Sequence, residues 1–221
     1  MNENKIVKFR CSRCGETVEG TMHPFIDAGC QANLKQEIIN GTLFAFVCPH
    51  CGYRTNLGYD LVYLDRKKKL LISLSHESHA DKMPSFSDLS IEESERDQYT
   101  VRIVHTPSDL REKILIRDAG LSDQAVELMK VLITSEIQSQ ENVLVDDLVY
   151  AKKDGKDAFQ MIKDGRFAGF VQWPEGMYDE ILQKLMVNMT GDAILNESVV
   201  SRDWAMTVLY QKALLQNSNY A

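Results

Sequence analysis

Two short cysteine motifs near the start of the chain constrain its fold more than any other feature. Four thiolates in a tetrahedral array form a closed zinc site, and a glycine after each pair can adopt the left-handed conformation that closes the turn. The two motifs read Cys11-Ser-Arg-Cys14-Gly15 and Cys48-Pro-His-Cys51-Gly52. The sequence therefore predicts one structural zinc ion with four ligands: Cys11, Cys14, Cys48 and Cys51.

A redox function is the alternative interpretation of the same cysteines, because a Cys-x-x-Cys pair can also form the reversible disulfide of thioredoxin-like enzymes. Those enzymes carry a single motif between a strand and a helix. This chain has two pairs, and each is followed by glycine and strand-like sequence. Zinc is the leading hypothesis, and a reversible disulfide remains the competing one.

The spacing between the motifs predicts an insertion. Residues 15–47 separate them, whereas the pairs of a simple zinc ribbon lie roughly 15–20 residues apart. Apolar residues recur at helical spacing up to Ile39, and Gly41 lies where a helix commonly ends. We therefore expect a short helix between Asp27 and Gly41, which accounts for the additional length.

Strand-like segments surround both motifs and continue after the second. The first domain, residues 1–75, is predicted to be a zinc ribbon with an inserted helix and added antiparallel strands. Residues 76–97 have the composition of an acidic loop or linker, with little that could fill a core. The predicted strands are 5–10, 16–25, 43–47, 59–64 and 69–75.

Residues 98–221 are predicted to form an α+β region of different design. A strand over 99–104 precedes two helices, the second capped by Ser122. Asp154-Gly155 and Asp164-Gly165 are tight-turn signals within a three-stranded meander, and two more helices follow. The fold class is therefore α+β: a zinc ribbon with an inserted helix and added strands, followed by helices packed on a small antiparallel meander.

Charge and hydropathy restrict the partners and the compartment. The formal net charge of −7 argues against a protein that chiefly coats nucleic acid or anionic membranes. No window approaches the roughly 18 apolar residues of a membrane span, and the amino terminus has no apolar run typical of a signal peptide. We expect a cytoplasmic protein, where a reducing environment favours cysteines that bind metal.

Three further groups could bind metal or react. Cys30, the fifth cysteine, would be reactive at the start of a helix, but a lone cysteine is more often a partly buried core residue. His76 and His79 lie one helical turn apart, yet a metal site normally needs a third protein ligand and none of fitting spacing follows. His50 is expected to point outward from the tip of its turn.

No motif assigns a catalytic or a cofactor-binding residue. The sequence lacks a G-x-S-x-G elbow, a glycine-rich phosphate loop and an H-E-x-x-H metal motif. Asp146, Asp147 or Trp204 would line a deep polar pocket if the protein were an enzyme whose site is assembled from distant residues. The alternative for each is a surface carboxylate or a core aromatic side chain.

A basic rim surrounds the cysteine motifs and supports two interpretations. Cations near a zinc ribbon can contact phosphates, which would make the protein a nucleic-acid-associated regulator. They can also balance the formal charge of −2 on a zinc ion with four thiolates. The rim consists of Lys5, Lys8, Arg10, Arg13 and Arg54.

The chain resembles the bacterial CpXC proteins, a family named for its Cys-Pro-x-Cys element, here Cys48-Pro-His-Cys51. The resemblance covers most of residues 5–135, although Ser12 stands where the family often has proline. It implies a zinc-binding fold of unassigned function, the same four cysteine ligands and no catalytic residue. The other segments that carry it are 34–43, 59–65, 69–72, 101–104, 109–114 and 119–128.

The leading functional hypothesis is a non-enzymatic interaction module that presents the ribbon surface to a protein partner. The alternative is the nucleic-acid-associated regulator that uses the basic rim. The sequence identifies neither the partner nor the oligomeric state.

Overall fold

The computed structural model describes residues 4–75, 83–188 and 193–217, with side chains through 187 in the second range and through 211 in the third. The chain divides into two compact units, Met1–Arg111 and Glu112–Ala221. This division lies beyond the 76–97 segment in which the sequence suggested a junction. Strand β8, Thr100–Val104, pairs with β7, Leu70–Leu74, and so lies in the sheet of the first unit.

The first unit contains two small hairpins, a four-stranded sheet and a short helix. Its described elements are β1 Lys5–Arg10, β2 Thr17–Met22, β3 Phe25–Asp27, α1 Ala32–Asn40, β4 Ala45–Val47, β5 Arg54–Asn56, β6 Leu61–Asp65, β7, a 3₁₀ helix Glu93–Gln98 and β8. Helix α2, Pro107–Asp118, contains the division between the units.

The hairpins β1–β2 and β4–β5 pack against each other through aromatic side chains. The rings of Phe9 and Phe46 meet edge to face with centroids 4.9 Å apart. Gly20 permits this approach, because a Cβ atom there would lie 2.9 Å from Leu57 Cδ1 and 3.1 Å from Phe9 Cε1. The two cysteine motifs lie in the turns of these two hairpins.

The added strands form a mixed sheet in the order β3-β6-β7-β8. Only β6 and β7 are antiparallel, while β3 pairs with β6 and β7 pairs with β8 in parallel. The two added strands therefore pair antiparallel as predicted, whereas their parallel pairing with β3 and β8 was not predicted. Parallel neighbours need a long crossover connection, and the connection from β3 to β6 contains α1 and the second hairpin.

The inserted helix forms where the sequence predicted one. Leu34 and Ile38 are its buried residues, and Gly41 ends it in the left-handed conformation with φ 71°. The amide of Thr42 donates to the Glu37 carbonyl at 2.9 Å, which satisfies a carbonyl at the helix end.

The polar segment before β8 contributes to the core, contrary to the expectation from its composition. Leu89 and Ile91 are 3% and 4% exposed and pack with Leu64, Leu71 and Tyr99. Met83 and Phe86 of the same segment pack against this cluster, so the few apolar residues in a run of serines and acids attach the segment to the sheet by losing contact with water.

The second unit is a three-stranded antiparallel meander with helices packed on it, as predicted. Both turns occur at the predicted dipeptides, and Asp154 and Asp164 have φ near 50°. The core is rich in aromatic rings, with Trp173 stacked on Phe159 at a centroid distance of 5.2 Å. The described elements are α3 Asp123–Glu141, β9 Asp147–Lys153, β10 Lys156–Lys163, β11 Arg166–Gln172, α4 Met177–Asn188, a 3₁₀ helix Ala193–Asn196 and α5 Arg202–Asn217.

Candidate metal centre

The first cysteine motif forms a tight turn between β1 and β2. The amide of Cys11 donates to the Glu16 carbonyl, and the amide of Gly15 donates to the Cys11 carbonyl, each at 2.9 Å. Gly15 has φ 75°, a conformation that disfavours any residue with a Cβ atom. The turn places Cys11 and Cys14 on one side of the hairpin end.

The second motif repeats this geometry between β4 and β5. The amide of Cys48 donates to the Tyr53 carbonyl and the amide of Gly52 donates to the Cys48 carbonyl, again at 2.9 Å, and Gly52 has φ 69°. The two turns are therefore equivalent in hydrogen bonding and in backbone conformation, which is how a paired cysteine site is built from two hairpins.

The four sulfur atoms converge, and all lie within 4.8 Å of one another. Cys11 Sγ is 3.7 Å from Cys51 Sγ, and Cys14 Sγ is 3.8 Å from Cys48 Sγ. A tetrahedral ion with metal–sulfur bonds of about 2.3 Å places its sulfurs about 3.8 Å apart. The arrangement fits a metal ion bound by both hairpins, and all five cysteines are free thiols.

The site has a protected side and an open side. Cys11 and Cys48 are 4% and 2% exposed and pack with Val18, whereas Cys14 is exposed and Cys51 is intermediate. One cysteine of each motif therefore faces the small core between the hairpins.

The thiols of the quartet affect one another's ionisation. The amides of Cys14 and Arg13 lower the pKa of Cys11 to about 6. The amide of Glu16 lowers the pKa of Cys14, but desolvation and the hydrogen bonds with the other three thiols outweigh it and raise that pKa to about 12. A thiolate disfavours ionisation of the neighbouring thiols. A divalent cation bound by the four sulfurs would therefore stabilise them in the charged form.

The other thiol and the histidines lie away from the quartet. Cys30 is exposed, so the expectation of a partly buried core cysteine is wrong: it lies in the turn before α1, where its amide donates to the Asp27 carbonyl at 3.0 Å. His50 is exposed at the tip of the second turn. His76 and His79 lie outside the described residues.

The residues considered for a distant catalytic site have structural roles in the second unit. Trp204 is buried, and its Nε1 donates to the Ile194 carbonyl at 2.8 Å. Asp146 accepts a hydrogen bond from the Gly165 amide at 2.8 Å. Asp147 lines a cavity of about 10 Å³, which has room for about one water molecule.

The basic rim is only partly neutralised. Lys8 pairs with Glu19 at 3.2 Å, and both side chains are exposed. Arg10, Arg13 and Arg54 are exposed, and within the described ranges, 4–75, 83–188 and 193–217, no carboxylate lies in ion-pair distance of them.

Sequence reasoning missed a buried charge cluster in the second unit. Lys113 Nζ lies 3.0 Å from Glu127 Oε1, and Lys130 Nζ lies 3.1 Å from Glu112 Oε2 and 3.2 Å from Glu127 Oε2. Glu112 also accepts a hydrogen bond from the Tyr150 amide. The one signal in the sequence was the position of Glu127 and Lys130 among apolar residues of α3.

Comparisons with known proteins identify a family but no individual relative. Residues 9–130 match the family model described as CpXC protein, a span that begins before the first cysteine motif and ends within α3. Neither the curated proteins nor the solved structures include a match to this chain. In the part of the chain that the structure describes, no helix has the length and apolarity needed to cross a membrane. Since the matched span is more than half of the 221 residues, the chain belongs to the CpXC family.

Proposed function

We propose that the protein binds one structural zinc ion through Cys11, Cys14, Cys48 and Cys51, and that the two hairpins so joined act as a non-enzymatic protein-interaction module. The observation that carries the proposal is the pair of equivalent turns with sulfur separations of 3.7 and 3.8 Å. Four thiolates satisfy a tetrahedral zinc ion completely. Such a site has no open position for a substrate, so it serves the fold.

An interaction function is supported by apolar side chains on the hairpins. Ile6 in β1 is 70% exposed and Val47 in β4 is 53% exposed. We take these two side chains as part of the contact surface, since exposed apolar side chains mark a protein interaction site where they belong to a continuous patch. We place this function in the cytoplasm, where thiols remain reduced and available to zinc.

Metal analysis tests the zinc site. Protein purified without chelator should contain one zinc per chain, and X-ray absorption should give four sulfurs at about 2.3 Å. Cys48→Ser should lose the metal, while the matched control Cys30→Ser should retain it, because Cys30 lies outside the quartet. Metal-free protein with four titratable thiols in the quartet would contradict the proposal, and bound iron would correct the identity of the ion.

Surface variants test the interaction function. Ile6→Glu and Val47→Glu should keep the zinc and the fold, because both side chains are exposed. They should lose the partner that copurifies with the wild-type protein from its own cell. A partner retained by both variants would contradict a binding surface on the hairpins.

Nucleic-acid regulation is the second candidate, and it is favoured by Arg10, Arg13 and Arg54, which have no carboxylate in ion-pair distance among the described residues. Phosphate contacts would give an affinity for RNA or DNA that falls steeply with salt. Charge reversal at Lys8, Arg10 and Arg13 should then abolish the mobility shift. An absent shift at low salt would eliminate this candidate.

A further inference from the structure

A groove of about 370 Å³ opens beside the cysteine quartet in the first unit. Its walls come from both hairpins, and Cys11 and Cys48 contribute one lining residue from each motif. Most of the lining is apolar, with Val7, Phe9 and Phe46 among the residues. A cavity of this size is at the lower end of the range for ligand sites.

One arginine gives the groove a charge. Arg10 lines it together with Ser12, next to Cys11, and no carboxylate within the described ranges pairs with this arginine. The neighbouring cation on β1, Lys8, is already paired with Glu19. In a chain with a net charge of −7, an arginine left unpaired at an apolar groove favours an acidic ligand.

We propose that this groove binds an extended peptide segment that has a bulky apolar side chain beside carboxylates. The apolar side chain lies among Val7, Phe9 and Phe46, and a carboxylate pairs with Arg10. This rests on the proposed interaction function: it names the class of partner and adds a second contact on the same hairpins, since Ile6 and Val47 are not among the residues that line the groove.

The dimensions favour an extended segment over a helix. A single turn of an α-helix with its side chains, roughly 10–12 Å across and about 5.4 Å long, fills on the order of 400–600 Å³, which is more than the 370 Å³ of the groove. An extended chain directs alternate side chains to one face, so a single apolar residue can enter while its acidic neighbours remain at the rim.

The lining also favours a peptide over a nucleic acid. Backbone recognition of a polyanion uses several cations along a groove, whereas Arg10 is the one cation among the residues that line this one. The apolar part of the lining offers no hydrogen-bond donor to phosphates, whereas it can hold an apolar side chain of a peptide.

Binding to an array of hexapeptides tests the proposal with the intact zinc-loaded protein. Each test peptide carries one Phe, Leu, Trp or Met flanked by Asp and Glu. In one control set, Asn and Gln replace the acids, and in another, Ser replaces the apolar residue. Binding should require both features, and the strongest binder is then labelled with fluorescein for anisotropy titration.

Variants locate the bound peptide. Arg10→Glu should weaken binding by about tenfold or more, whereas Lys8→Glu makes the same charge change on the same strand and should have little effect, because Lys8 is not among the lining residues. Asn56→Trp should fill the groove from its exposed edge and abolish binding. Metal content reports whether each variant retains its site.

The outcomes separate the two proposals. Failure of every acidic-apolar peptide to bind, or equal loss in Arg10→Glu and Lys8→Glu, would overturn the groove as the site. If the surface variants Ile6→Glu and Val47→Glu still release the copurified partner, the interaction function survives that failure. Salt-sensitive binding of an RNA oligomer that is lost in Arg10→Glu would overturn the peptide proposal in favour of nucleic acid.

Discussion

Replacement of Lys130 by methionine should destabilise the second unit strongly. Its ammonium group lies 3.1 Å from Glu112 and 3.2 Å from Glu127, and all three side chains are at most 8% exposed. Methionine keeps most of the apolar length but removes the charge. Among the described residues, the buried Glu112 and Glu127 then have only the ammonium of Lys113 nearby, which lies 3.0 Å from Glu127 and already pairs with Asp123 at 3.3 Å.

The expected loss follows from leaving a buried charge without its partner, which costs about 3–5 kcal/mol. An ordinary domain has about 5–15 kcal/mol of total stability, so the variant should be near the limit of folding. With a urea dependence of about 2 kcal/mol per molar, the middle of the usual range, a loss of about 4 kcal/mol lowers the unfolding midpoint by roughly 2 M.

Tryptophan fluorescence during urea unfolding is the assay. Trp173 and Trp204 are the only tryptophans of the chain, and both lie in the second unit, so the signal reports on that unit. Lys184→Met is the matched control, because Lys184 pairs with Glu180 with both side chains about 65% exposed. An exposed pair contributes only about 0–1 kcal/mol.

The pH dependence of stability shows whether Lys130→Met acts through the lost charge or through altered packing. Burial raises the pKa of Glu127, but Lys113 and Lys130 outweigh this and hold it below the ordinary 4.5. Stability from this lowered pKa is present above pH 4.5 and is lost as the pH falls through the folded value. Burial raises the pKa of Glu112. Protonation of Glu112 as the pH falls therefore removes one buried negative charge from the cluster. The difference between Lys130→Met and wild type should therefore narrow in acid. A midpoint change no larger than that of Lys184→Met, or one independent of pH, would refute the electrostatic reasoning.

Three further predictions concern the metal, a close contact and a helix cap. If the quartet binds zinc as proposed, removal of the ion by a chelator should unfold the hairpins, since metal binding at such sites is largely folding free energy. Hydrogen exchange of the hairpin amides should show this unfolding while emission from Trp173 and Trp204 stays unchanged, and a red shift of that emission would contradict it. Gly20→Ala would place a Cβ 2.9 Å from Leu57 Cδ1 and should cost the zinc-loaded first unit about 1–3 kcal/mol, measured by hydrogen exchange of the hairpin amides. Ser122→Ala removes the hydroxyl that caps α3 and should cost about 1 kcal/mol by urea unfolding, while Ser122→Thr should retain most of the stability.

Short sequence motifs correctly predicted those features that depend only on residues close together in the chain. The Asp-Gly dipeptides give tight turns of positive φ in the meander, because a two-residue hairpin needs that conformation. Gly41 ends α1 for a similar reason. The cysteine motifs, each with its own glycine, predicted two equivalent turns, and the structure brings their sulfur atoms together.

Features that depend on contacts between residues distant in sequence could not be predicted from local patterns. The alternating pattern of a strand gives its faces but not its neighbour, so the parallel pairs β3–β6 and β7–β8 could not be inferred. Helix α3 contacts α4, α5 and β9 and is therefore buried on most of its circumference. Glu127 and Lys130 lie on that buried surface, although neither belongs to the apolar stripe by which the sequence predicts this helix.

The size of the hairpins explains why a metal site and a binding groove would occur together. Strands β4 and β5 pair over only three residues each, and an isolated two-stranded hairpin is at best marginally stable in water. A metal ion bound by both motifs would fix β4–β5 against β1–β2 without a larger core. Since Cys11 and Cys48 both line the groove, the groove has its shape only while the two hairpins are held together. Peptide binding and metal binding should therefore be lost together when a cysteine ligand is replaced, whereas Arg10→Glu should remove peptide binding alone.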